Sequence, residues 1–110
     1  MNASPSQRIT AEVTSWPGVH GTDGERGEFS FRIGKREIGH LHGDRVAHFG
    51  FPKEVGAALR ESGRIQPHSA FPHKIAWGAR YLEDDEDVDE TIALMRLNYD
   101  RAVERHGVPA

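Results

Sequence analysis

The chain has no cysteine among its 110 residues. That excludes disulfides, thiol nucleophiles and thiolate metal sites, and it fits a reducing compartment such as the cytosol. Long apolar runs are missing too. None approaches the roughly 18 residues needed to cross a membrane, and the polar N-terminus does not resemble a signal peptide. A basic face is missing as well: 14 Lys and Arg stand against 17 Asp and Glu, for a formal charge of −3. Nucleic acid and anionic membrane are therefore not expected partners. The phosphate-binding P-loop, the dinucleotide fingerprint, His-Glu-x-x-His, Gly-x-Ser-x-Gly and the EF-hand loop are all absent. What remains in quantity is imidazole: seven histidines against two tyrosines.

A chain of this length makes one small domain, here 1–110, with flexible tails expected at 1–4 and 107–110. Ser4 and Pro5 start a helix as N-cap and first helical residue. Ile9, Val13 and Trp16 give that helix its apolar stripe, and Pro17-Gly18 ends it. His20 to Gly27 reads as a loop or an irregular edge strand. Glu28 to Ile33 alternates polar and apolar with period two, the pattern of a half-buried strand. Gly34-Lys35 and Gly43-Asp44 are two-residue hairpin turns. They would pair Phe31 with Ile38 and Phe29 with His40, then His42 with Arg45 and His40 with Ala47.

On that register one face carries Phe29, Phe31, Ile33, Ile38, Ala47, Phe49 and Phe51, and it must be the core. His40 and His42 would lie on it. The opposite face carries Glu28, Ser30, Arg32, Glu37 and His48, with Leu41 and Val46 as exceptions. Pro52 opens a second helix with Val55, Ala58 and Leu59 inward, closed by Gly63. Arg64 to His68 reads as a short strand and Lys74 to Leu82 as a longer one. The acidic run Glu83 to Asp87 is the N-terminus of a long helix, where carboxylates offset the macrodipole. Val88, Ile92, Met95, Tyr99 and Val103 form the apolar stripe of that helix. The order α-β(3)-α-β(2)-α makes an α+β two-layer sandwich, an antiparallel sheet with helices on one face.

Chemistry concentrates at Gly39-His40-Leu41-His42, because residues i and i+2 of a strand share a face. Three readings stand. His40 is a hydrogen-bonded core histidine; or the pair belongs to a metal-free pocket with imidazole as general base; or, third, it binds a metal. Glu37 points away on this register, so a third ligand would be His68 or His73. Phe29, Phe49 and Trp77 are the expected apolar walls. Arg64 is either an anion anchor or a partner for an acid. His20, His48 and His106 read as surface residues.

Several motifs together resemble a known family. These are Trp16-Pro17-Gly18, then Phe31-x-Ile33-Gly34-x-Arg36-Glu37-Ile38-Gly39-His40-Leu41-His42, then Gly63-Arg64-x-x-Pro67-His68, Trp77, and Leu94-x-x-Leu97-x-Tyr99. In this order they resemble the luciferase-domain family, over about residues 9–103. The resemblance implies that His40, His42, His68 and Trp77 mark the site. It also implies oxygen addition to an enolisable aromatic by a histidine base, with no metal or other cofactor. Lys74-Ile75-Ala76-Trp77 departs from the Ser-Gly-Trp-like turn of that family, and light emission is not carried over. The element order is also similar to YjbR-like, secretion-chaperone-like folds. These include binding modules, so a ligand-binding or protein-interaction role is the alternative, with a small molecule or a second copy of the chain as partner.

Overall fold

Ser4 begins the first helix as the sequence predicts. Its hydroxyl accepts the Gln7 N–H, the Gln7 side chain accepts the Ser4 N–H, and Pro5 fills the first helical position. The computed structural model describes residues 3–109, and the tail expectations at Met1, Asn2 and Ala110 lie outside the described residues. Helix α1 (Pro5–Val13) leads into β1 (Val19–Asp23), β2 (Phe29–Ile33), β3 (Arg36–His42) and β4 (Val46–Gly50). Then come α2 (Lys53–Glu61), β5 (Gln66–Pro67), β6 (Trp77–Tyr81) and α3 (Asp85–His106). The strands form one antiparallel sheet in the order β1-β2-β3-β4-β6-β5. The α+β two-layer architecture is as expected, with β1 as an added edge strand over part of 20–27.

The acidic run behaves as helix chemistry. Asp84 caps α3, accepting the Asp87 N–H at 3.0 Å. Asp87 accepts the N–H groups of Glu83 and Asp84 in return, and takes Arg80 Nε at 2.9 Å. Val88, Leu94, Met95 and Tyr99 of α3 join Ile9 and Val13 of α1 over the sheet residues Phe31, Ile33, Ile38, Leu41, Ala47 and Phe49. In α2 the inward residues are Gly56 and Leu59, while Ala58 is exposed. Glycine is needed at 56 because a Cβ there would meet the Ile75 carbonyl oxygen at 2.3 Å. Past α3, Val108 and Pro109 lie against Gly18. No helix among the described residues is long and apolar enough to cross a membrane.

The predicted register fails along half of β3. Ile33 pairs with Arg36 as expected, and Arg32 with Glu37, but then Phe31 pairs with Gly39, Ser30 with His40 and Phe29 with Leu41. Ile38 is the extra residue of a β-bulge. Its carbonyl accepts Asn98 Nδ2 of α3 at 3.1 Å. The close approach of α3 also explains Gly39. A Cβ at that position would stand 2.6 Å from Met95 Sδ and 3.1 Å from Phe49 Cδ1.

The following turn contains three residues, Gly43 to Arg45, so His42 pairs with Val46, Leu41 with Ala47 and His40 with His48. The two one-residue shifts fall on opposite sides of the same half-strand. β2 and β4 therefore keep their predicted faces, and only residues 39–42 turn over. Leu41 enters the core at 1% exposure. His40 and His42 leave it for the open face of the sheet, correcting the apolar-face placement.

Candidate functional site

Beside His40 and His42 on that open face stands His48, across from His40 on β4. The sequence reading treated His48 as a surface residue. It is 7% exposed. One ring nitrogen from each of His40, His42 and His48 can be chosen so that all lie within 4.8 Å of one another. His68, just after β5, adds a fourth ring, with its centroid 4.1 Å from that of His48. The four imidazoles form part of the wall of a cleft of about 720 Å³, together with Glu37, Val46, Phe71, Trp77 and Tyr81, and with Arg26 and Arg45 at its mouth.

Hydrogen bonds constrain the protons. Ser30 Oγ donates to Glu37 Oε1 at 3.0 Å, and Glu37 Oε2 lies 3.0 Å from His40 Nδ1. An ionised carboxylate only accepts, so His40 donates from Nδ1, and the neutral ring then presents a lone pair at Nε2. That lone pair lies 3.3 Å from His48 Nδ1, which must then donate. The chain Ser30–Glu37–His40–His48 ends at His48 Nε2, which is buried and has no hydrogen-bond partner among the described residues. His68 Nδ1 accepts the Ala70 N–H at 3.2 Å, which leaves its proton on Nε2 as a donor. The ring of His42 makes no hydrogen bond to the described residues.

Burial pushes the Glu37 carboxyl up, but the His40 hydrogen bond and charge, with Ser30, more than offset it and hold it below its ordinary value. Burial pushes His48 down to about 4, helped by the charges of His68, His40 and His42. Burial likewise lowers His42 and His68, and in both cases His40 adds to the effect. Three of the four rings are thus held neutral at pH 7, available as acceptors, donors or ligands.

The expected walls divide. Trp77 stands at the rim, 37% exposed, packed edge-on against Phe71 with centroids 5.0 Å apart. Lys74 Nζ lies over the Trp77 ring at 4.4 Å. Phe49 borders the cleft, but its ring belongs to the core and stacks on Phe51. Phe29 is turned to the helix side, against Gly21 and Phe31. Arg64 pairs with Glu90 outside the cleft, taking its acid-partner alternative. His73, His20 and His106 are exposed and lie outside it.

Arg60 of α2 is a positioning residue that the sequence reading passed over. Its guanidinium donates to the carbonyls of Pro72, Lys74 and Trp77 at 2.7–3.0 Å, fixing the segment that carries the aromatic rim. A lone arginine in a helix carries no sequence signal for such a role. His48 did have one. Gly39 inside a strand signals a bulge; a bulge there turns His40 to the open face that His48 already occupies, and the three-residue turn Gly43 to Arg45 sets the two rings opposite each other.

Residues 35–98 match a family model described as the Luciferase domain, a span that holds all four clustered histidines, Glu37 and Trp77. No curated protein and no solved structure matches the chain.

Proposed function

The chain belongs to the luciferase-domain family, and from that premise we propose that the cleft binds a small, planar, acidic aromatic or enolisable molecule and takes a proton from it. The observation that carries this reading is the convergence of four imidazoles, three of them held neutral, in one aromatic-rimmed cleft. The ring of the substrate stacks on Trp77 and Phe71. Its acidic O–H meets the ring of His42, which has no hydrogen-bond partner among the described residues and can accept the proton. His68 Nε2–H donates to the oxyanion that forms, and Arg45 at the mouth favours negative charge. The product is an electron-rich enolate or phenolate, the kind of anion that adds molecular oxygen.

A hydroxycoumarin tests this, because its neutral and ionised forms absorb at different wavelengths. The expected result is binding with a shift toward the ionised spectrum at a pH where the free probe is neutral. Trp77→Ala should weaken binding by about tenfold, the worth of one aromatic contact, and His42→Gln should abolish the spectral shift. Absence of binding, or binding indifferent to both changes, rejects the reading.

The exposed Phe71, Ile75, Trp77 and Tyr81 around the rim favour a second reading, a protein-interaction module. In that case the probe fails to bind, and Trp77→Ala changes self-association measured by sedimentation.

A further inference from the structure

The geometry points to a divalent transition-metal site formed by His40, His42 and His48, with Glu37 as the outer carboxylate that orients His40. The sequence placed metal third because it offered only two convergent histidines and looked to His68 or His73 for a third. The bulge at Ile38 and the three-residue turn at Gly43 to Arg45 supply a different one. They bring His48 across from His40 on the face that His42 shares.

Three observations carry the inference. The first is spacing. Metal–nitrogen bonds of about 2.0–2.1 Å in a tetrahedral site separate ligand nitrogens by about 3.3 Å. His40 Nε2 and His48 Nδ1 already stand 3.3 Å apart, and the whole set lies within 4.8 Å, so a small ring rotation closes it. The second is the outer shell. A ligating histidine usually gives its other N–H to a carboxylate, and here His40 Nδ1 meets Glu37, itself held by Ser30. The third is the donor set. Three imidazoles without thiolate or an inner carboxylate suit Zn²⁺, Fe²⁺, Co²⁺, Ni²⁺ or Cu²⁺ and not Mg²⁺ or Ca²⁺.

The charges that face the cluster are Glu28 and Glu37, which offset a cation, and Arg26, Arg45 and His68, which do not. On binding, the metal takes the place of the proton that stands between His40 and His48; with both rings neutral that proton moves to His48 Nε2, so each ligand stays a neutral imidazole. Three protein ligands leave a coordination position toward the cleft, the arrangement of a reactive centre and not of a structural one. Resting on the small-molecule reading only for its substrate, the inference puts a metal ion where the His42 lone pair would otherwise meet the acidic oxygen. The stacking rim and His68 keep their roles.

The test is titration of the untagged, chelator-stripped full chain with Co²⁺, read by its visible absorption, and with Zn²⁺, read by calorimetry. One ion per chain is expected. Losing the outer partner of a ligand costs about 10–100-fold in affinity, so Glu37→Gln should fall in that range and His42→Gln or His48→Gln should lose more. His106→Gln, at the exposed end of α3, serves as the control and should change nothing. Circular dichroism identifies any variant that fails to fold. His42 is only half-buried, so His42→Gln keeps the test valid if His48→Gln misfolds.

Absence of stoichiometric binding, or equal losses in the His42 and His106 variants, overturns the inference. If the stripped protein still binds and ionises the hydroxycoumarin, the proposed function survives that result. If metal binds as expected but the probe does not, the metal site stands and the proposed function falls.

Discussion

The two faces of the sheet follow opposite rules. Under the helices, Phe31, Leu94 and Met95 are fully buried, and the core cluster is made of hydrophobic residues. On the open face the imidazole of His48 is almost as buried, at 7% exposure, among three other histidine rings. The helix face is what close packing and apolar burial produce. The open face spends stability on four imidazoles whose neighbouring ring centroids lie 4.1–5.2 Å apart, which stability alone does not select. That contrast marks the open face as the working one, and it can be tested from both sides.

The largest effect belongs to the core. Phe31→Ala removes a ring with no solvent exposure that packs edge-on against Phe29. It should cost about 3–5 kcal/mol in urea unfolding, much of the stability of a domain this size. Removing any one cleft imidazole should cost far less. A His42→Gln variant as unstable as Phe31→Ala would mean that the histidines are core residues after all and that the contrast is false.

Gly39 joins the two faces, so it sharpens the comparison. Gly39→Ala pushes a methyl group into Met95 and Phe49, at 2.6 and 3.1 Å from the nearest atoms. Overpacking of this kind costs about 1–3 kcal/mol. It also strains the bulge that turns His40 and His42 outward, so metal and probe binding should weaken in the same variant. Lost stability with unchanged binding would show that the bulge does not set the cluster.

This position also explains what the sequence made legible. Periodicity placed the helices and strands, because each element repeats its pattern over several residues and one exception is outvoted. Capping chemistry placed Ser4, and the acidic run Glu83 to Asp87 marked the start of α3, because both signals are local. The face of residues 39–42 was decided by two single-residue irregularities, the Ile38 bulge and the third residue of the Gly43 to Arg45 turn, which periodicity averages away. Leu41 as an apolar exception on the solvated face was the trace they left. His48 was missed for the same reason, since its role depends on which residue of β3 lies opposite. Arg60 and Arg64 were settled by contacts between distant elements, Arg60 with the 72–77 segment and Arg64 with Glu90 of α3. No local pattern encodes such contacts.

The smallest predicted effect separates the faces by acidity, in chelator-treated protein. On the cleft side, His48 titrates near 4 in the folded chain and near an ordinary value of about 6.5 when unfolded. Between those values the unfolded chain binds the proton more readily. Stability should therefore fall as pH drops from about 6.5 to 4, and this contribution should level off below that. The full linkage is about 3 kcal/mol, and water in the open cleft reduces it to about 1–2. On the helix side, burial raises Asp87, but the Glu83 N–H, Arg80 and the Asp84 N–H more than offset it, so its folded value lies below the ordinary carboxylate range. Its contribution, about 1 kcal/mol for a capping carboxylate, is present above about pH 4. It is lost only as pH falls through that lower value. The two windows barely overlap. Urea unfolding from pH 7 to 2.5 should show both slopes, with His48→Gln flattening the upper one and Asp87→Asn the lower. If His48→Gln leaves the slope between pH 6.5 and 4 intact, that ring is not the neutral, desolvated group at the centre of the cluster, and the difference between the two faces loses its main support.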